Sequence, residues 1–284
     1  MLDKVFPLMG RGLWLLGMIV WGCGSGDLQE DECNVQESTQ RVFRVKRDGK
    51  IAIGGYIGGA TVCMDANGNN VCEANEKEVI TDTSGGYSLA LTTQDASCLP
   101  IPMIAYSGVN LEINQTFNGI LKASILQENI TPLTTMVVVL MDDLNLSFGD
   151  ANDQVAGVMN LTVEHLDQDP IAYLEDTGDD QLLKAVIGIE KMVEILVRRS
   201  REEDLVLHYW KNYHALGASM LLSDNIEQTI EWVAEESSTQ ELLERFIVYL
   251  DGQHLTSQNR HDKILEIEAT LSALLDQYAT KEEL

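Results

Sequence analysis

The stretch of this chain best suited to chemistry runs from Cys63 to Glu76, Cys-Met-Asp-Ala-Asn-Gly-Asn-Asn-Val-Cys-Glu-Ala-Asn-Glu. Counting Asp65 as the first position, oxygen-bearing side chains fall at the first, third, fifth, ninth and twelfth places (Asp65, Asn67, Asn69, Glu73 and Glu76), and Val71 offers its carbonyl at the seventh. That is the spacing at which a twelve-residue calcium loop carries its ligands. It suits Ca²⁺ because a hard cation takes about six to eight oxygens at about 2.3–2.6 Å, and alternate residues of a tightly wound loop can all turn inward. The three carboxylates outweigh the charge of the ion. At the sixth place, where the pattern carries Gly for a positive φ, stands Asn70, the residue type that best tolerates left-handed backbone after Gly. The same residues also suit a metal-free Asn/Gly turn between two strands, and the sequence leaves both readings open.

Other constellations are weaker. His208 and His214 flank Trp210 and Tyr213, and His254 and His261 follow, but no two histidines stand four apart and no H-E-x-x-H occurs. The paired carboxylates Asp142-Asp143 and Asp179-Asp180 could serve acid/base work; in so acidic a chain they read as solvated surface or helix N-terminal charge. Thr131-Pro132-Leu133-Thr134-Thr135 is rich in hydroxyls but has no Gly-rich cradle or Lys beside it, and it reads as a helix start: Thr131 caps and Pro132 occupies the first helical position. The chain is therefore expected not to be an enzyme.

The elements that must position these residues change character along the chain. Arg41 to Lys46 alternates, Lys50 to Tyr56 follows an expected turn at Asp48-Gly49, and Ala60 to Cys63 leads into the loop. Glu78 to Thr81, a turn at Asp82 to Gly86, and Tyr87 to Leu91 complete a run of short strands. The basic cluster of Arg41, Arg44, Lys46, Arg47 and Lys50 reads as charge guarding an edge strand. From Leu133 onward the period becomes helical. Asp169-Pro170 repeats the cap-and-proline start, and Gln181 to Arg199 carries a wide apolar face. Its expected partners are Leu205 to Leu222, Ile226 to Ala234, Leu242 to Leu250 and Ile264 to Tyr278.

Composition marks the same division. The net charge is −26. Residues 24–125 hold 13 acidic and 7 basic side chains, residues 126–284 hold 31 and 10, so the helical part is far more anionic. Nucleic acid and anionic lipid head groups are poor partners on this balance, and none of the former is expected. The fold class expected is α+β, a small N-terminal β-sandwich followed by a C-terminal α-helical bundle, with domains at 41–125 and 126–284.

Before them, Lys4 and Arg11 precede the apolar run Leu13 to Trp21, too short to span a bilayer at about 20 residues but long enough for a signal core. Val20-Trp21-Gly22-Cys23 resembles a bacterial lipoprotein signal, which implies removal of residues 1–22 and lipidation of Cys23; an ordinary secretory signal is the alternative. Gly24 and Ser25 follow in place of the Asp that retains enterobacterial lipoproteins in the inner membrane, so the resemblance implies the outer membrane. Residues 23–40 read as a polar tether. With Cys23 acylated, Cys33, Cys63, Cys72 and Cys98 remain, and three connectivities are open. Cys63 with Cys72 is the pairing expected, because metal coordination would already draw those loop ends together, which leaves Cys33 with Cys98. Closing so short a loop is worth about 2.5–3 kcal/mol.

Gly58-Gly59-Ala60-Thr61-Val62-Cys63 into the Asp/Asn loop, then Asp82-Thr83-Ser84-Gly85-Gly86-Tyr87, resembles the prealbumin-like sandwich of carboxypeptidase regulatory-like domains and the calcium-binding B repeats of serine-aspartate adhesins. The resemblance covers about 50 residues and implies a structural, metal-stiffened module. Further on, Tyr106 to Leu111, Thr116 to Ala123 and the Thr-Pro-Leu-Thr-Thr motif, with Asp169-Pro170-Ile171 later, are similar to a run in uncharacterised bacterial surface proteins, with which no activity travels. The functional expectation is an outer-membrane lipoprotein, held by its lipid, using calcium for stability and acting as a binding or structural module with a protein partner at the cell surface. A cell-envelope hydrolase with its site among the helices, or a subunit of a surface assembly, are the alternatives.

Overall fold

The computed structural model describes residues 44–92, 101–199, 205–234 and 237–279. The fold is α+β. Among the described residues nine short strands come first: β1 (Arg44–Lys50), β2 (Ile57–Gly58), β3 (Thr61–Met64), β4 (Glu78–Ile80), β5 (Gly86–Thr92), β6 (Pro102–Tyr106), β7 (Val109–Asn110), β8 (Gln115–Thr116) and β9 (Ile120–Ser124). Among the described residues they form three antiparallel sheets, β1-β5, β2-β7-β8 and β4-β3-β6-β9. The last of these carries the loop, because β3 ends at Met64 and β4 begins at Glu78, and the two strands pair Cys63 with Glu78.

The expected turn at Asp48-Gly49 is absent. β1 runs straight through it, with Asp48 opposite Ser88 and Gly49 opposite Tyr87. The glycine serves close approach instead of turning: a Cβ on Gly49 would stand 1.7 Å from the Glu128 carbonyl oxygen. The turn after β4 does form. Asp82 Oδ1 accepts from the N–H groups of Ser84 and Gly86, and Gly85 takes a positive φ of 72°.

Eight α-helices follow among the described residues: α1 (Pro132–Leu144), α2 (Phe148–Val158), α3 (Pro170–Thr177), α4 (Gln181–Arg199), α5 (Leu205–Leu221), α6 (Ile226–Val233), α7 (Ser237–Asp251) and α8 (Arg260–Ala279). α1 starts as its sequence requires. Thr131 is extended and accepts from Thr134 N–H, Thr134 reciprocates to Thr131 N–H, and Pro132 sits where its missing donor costs nothing. α3 repeats the device with Asp169, which accepts from Ile171 and Ala172.

The threonines also hold the helix to the sheet. β9 is the last strand of its sheet, so the outward backbone groups of Lys122 need partners. Thr135 Oγ1 accepts from Lys122 N–H at 2.8 Å, and the hydroxyls of Thr134 and Thr135 lie 2.8 and 3.2 Å from the Lys122 carbonyl. Such hydrogen bonds contribute about 1 kcal/mol each, and leaving the buried groups unpaired would cost more. Every residue of β9 is buried. α1 is apolar nearly all round and packs on β9, α4 and α5. One apolar core runs from Ile51 and Val62 through Met136 and Ile189 to Phe246 and Leu271, so strands and helices share it. No described helix is long and apolar enough to cross a membrane.

Candidate metal centre

Asp65 leaves the end of β3 buried, at 1% exposure, whereas Asn67, Asn69, Val71 and Glu73 lie on the surface. The loop is wound around the Asp65 carboxylate. Its Oδ1 accepts from Asn69 N–H at 2.9 Å and its Oδ2 from Asn70 N–H at 3.0 Å. Asn67 Oδ1 accepts from Asn69 N–H, and Asn69 Oδ1 from Val71 N–H, each at 2.9 Å, so successive polar side chains bridge two residues ahead. Asn70 adopts φ 64°, the left-handed backbone expected at the sixth place, and Gly68 φ 71°.

Glu76 closes the far end. Its two oxygens accept from Ala66 N–H at 2.8 Å and Glu73 N–H at 3.0 Å, tying the twelfth position to the second and ninth. The amides of Asn67 and Asn69 both donate to Glu73, each at 3.0 Å. Cys63 and Cys72 are disulfide-bonded, with Cα atoms 5.8 Å apart. Cys23, Cys33 and Cys98 lie outside the described residues, as do the signal and the tether.

The donor set fits a hard cation in part. Asn67 and Asn69 converge on Glu73 through their amide nitrogens, so their oxygens would face an ion only once those amides turn over, and Asn70 Oδ1 is buried without a hydrogen bond. Asp65, Glu73 and Glu76 do not close into a cluster of three, and no such group of His, Cys, Asp or Glu exists among the described residues. The carboxylates of Asp65 and Glu76 are engaged by backbone N–H groups. Carboxylate oxygens have further lone pairs, and coordination requires only that each turn one toward the ion.

A residue that sequence reasoning passed over meets Asp65 from behind. Lys122, 2% exposed, places Nζ 3.9 Å from Asp65 Oδ2 and 3.8 Å from the centre of the Trp210 ring on α5. The signal was present: Lys122 is the one charged residue in the otherwise uncharged run Gly119 to Leu126, and a buried ammonium must find a counter-charge.

A second polar site was also missed, because its residues lie within the apolar run of α4. Glu190, Lys191 and Glu194 line a cleft of about 440 Å³, with Glu268 of α8, Tyr209 of α5 and Phe117 beside them. Lys191 Nζ lies 3.0 Å from Glu190 and 2.8 Å from Glu194, and also pairs with Glu268. Arg198 pairs with Glu194 in turn. Burial, followed by the charges of Glu194 and Glu268, pushes the Glu190 carboxyl up to about 7 against the pull of Lys191. Burial alone would lower the Lys191 ammonium; the surrounding carboxylates outweigh it and hold the group charged. The histidines stay dispersed: His165 contacts Tyr173, His214 lies edge-on to Trp210, and His261 meets Glu112. Of the paired carboxylates, Asp180 binds Lys184 and Leu255 N–H, a structural use. No protein-family model, curated protein or solved structure matches this chain.

Proposed function

We propose that this chain is an outer-membrane lipoprotein, anchored through Cys23, whose strand region is a small calcium-stiffened sandwich and whose acidic helices form a bundle that binds a protein partner at the cell surface. The observation that carries the calcium part is the winding of residues 65–76: Asp65 gathers the N–H groups of the fifth and sixth positions, and Asn70, at the sixth, takes left-handed backbone. Asp65, Asn67, Asn69, Glu73, Glu76 and the Val71 carbonyl would hold calcium, which would supply charge neutralisation and rigidity. The chain's own part is to close the loop, by the Cys63–Cys72 disulfide and by Glu76, which accepts from the Ala66 and Glu73 N–H groups. Extracellular modules of this kind bind calcium at about 10⁻⁴–10⁻³ M, where a tenfold excess adds about 1.4 kcal/mol. The test is thermal unfolding of the protein with disulfides intact, in millimolar Ca²⁺ and then in chelator. A rise in melting temperature with Ca²⁺ and not Mg²⁺, lost in Asp65→Ala, supports the reading; no rise removes calcium from it.

The α4 cleft favours a second reading, a cell-envelope hydrolase. A carboxyl that titrates near neutrality can act as a general acid, and Glu190 is placed at the wall of a cleft large enough for a small substrate. Against it stands the shared use of Lys191, which draws all three carboxylates into one ion cluster tying α4 to α8.

A further inference from the structure

Asp65 at the start of the loop and Trp210 on α5 share a neighbour in Lys122. Lys122 Nζ is the buried cation nearest the Asp65 carboxylate among the ion pairs described, and it rests at the same time against the face of Trp210. From these contacts we infer that Lys122 is a resident counter-ion at the loop, one that sets its calcium affinity and relays its occupancy to α5. This rests on the calcium reading above and extends it to a residue outside the loop.

The argument is electrostatic. Asp65 is all but removed from water, and a buried carboxylate needs positive charge close by. Two backbone N–H groups supply part of that need and the Lys122 ammonium adds to them. A divalent ion held by Asp65 therefore shares its carboxylate with a charge that repels it. The ammonium lowers calcium affinity and, in the absence of calcium, keeps the loop from losing its shape. Both effects make the response to calcium shallower than the loop alone would give.

The same geometry carries the signal outward. When a divalent ion draws on Asp65, the hold of the carboxylate on Lys122 weakens and the ammonium leans more on another partner it touches. That partner is the Trp210 indole, whose face attracts cations. Lys122 cannot drift far, since its backbone N–H and carbonyl are held by Thr134 and Thr135 at the start of α1. The electronic environment of one indole on α5 thus reports on the loop.

The experiment is a Ca²⁺ titration of the full chain followed by tryptophan emission, with Trp14, Trp21 and Trp232 changed to Phe so that Trp210 alone emits. Affinity is measured in parallel by isothermal calorimetry. Lys122→Met is expected to bind Ca²⁺ about tenfold more tightly or better, since a charge close to the ion is removed, and to lose the change in Trp210 emission. Lys122→Arg keeps the charge and is expected to stay within about threefold of the unmodified affinity; it also serves if the methionine variant does not fold. If the unmodified protein binds Ca²⁺ but Lys122→Met binds it equally or less tightly, or if Lys122→Arg tightens it as much, the inference fails while the calcium loop stands. If neither the unmodified protein nor Lys122→Met binds Ca²⁺, the calcium reading itself falls, and the inference with it. Binding by Lys122→Met alone would support both.

Discussion

Consider Glu190→Gln. Glu190 is 6% exposed, and its carboxyl is pushed up to about 7 from an ordinary 4.5 by burial and by the charges of Glu194 and Glu268. Below about pH 4.5 the group is protonated in the folded and the unfolded chain alike, and its contribution to stability is intact. As pH rises through about 7 the folded protein must ionise a buried carboxyl that the unfolded chain has already ionised freely, so stability is lost across that window. The gap corresponds to about 3 kcal/mol. Glutamine keeps the shape of the protonated acid and never ionises. The variant should match the unmodified protein at pH 4 and exceed it by up to about 3 kcal/mol above pH 7.5, a rise in melting temperature of about 6–12 °C for a chain of this size. Glu194, whose carboxyl Lys191 and Arg198 hold low despite its burial, is present in both proteins and does not enter the difference. Urea unfolding followed by circular dichroism between pH 4 and 8.5 measures it. A difference that does not change with pH, or a deficit that grows as pH rises, would refute the reasoning. The same variant separates the two functional readings: a hydrolase using Glu190 as its acid would lose activity as it gains stability.

Thr135→Val keeps the shape of the side chain but leaves the buried Lys122 N–H without its acceptor, which should cost about 1–3 kcal/mol by chemical unfolding, with Thr135→Ser restoring most of it. Gly49→Ala places a methyl group inside the Glu128 carbonyl, and separating β1 from that loop should cost about 3 kcal/mol; a substitution tolerated within about 0.5 kcal/mol would show that Gly49 is not required for close approach.

Much of the helical half was legible in the sequence because its signals are local. Pro132 after Thr131, Pro170 after Asp169, and the apolar period of Gln181 to Arg199 each depend on neighbours within a few residues, and α4 begins and ends at those residues. Two local features of the loop were legible for the same reason, the left-handed Asn70 and the bond between Cys63 and Cys72. What escaped depends on distant partners. Gly49 looked like a turn because its reason, the Glu128 carbonyl, lies 79 residues away. Glu190, Lys191 and Glu194 sat inside an apolar run and could be placed only once Glu268 was brought across from α8. Strand order likewise follows from pairings such as Ile104 with Lys122 that no local period encodes.

The burial of β9 has a consequence for how the sheet finds its alignment. A strand with one wet face is kept in step by its alternation, since a slip of one residue would turn the apolar set toward water. Ile120 to Ser124 is buried on both faces and has no such alternation. Lys122 supplies the missing mark. Slipped by one place against β6, the strand would carry the ammonium away from Asp65 and Trp210 and offer Leu121 or Ala123 to the threonines of α1 in its stead. A single charge in the middle of the strand therefore acts as a key that only one alignment accepts.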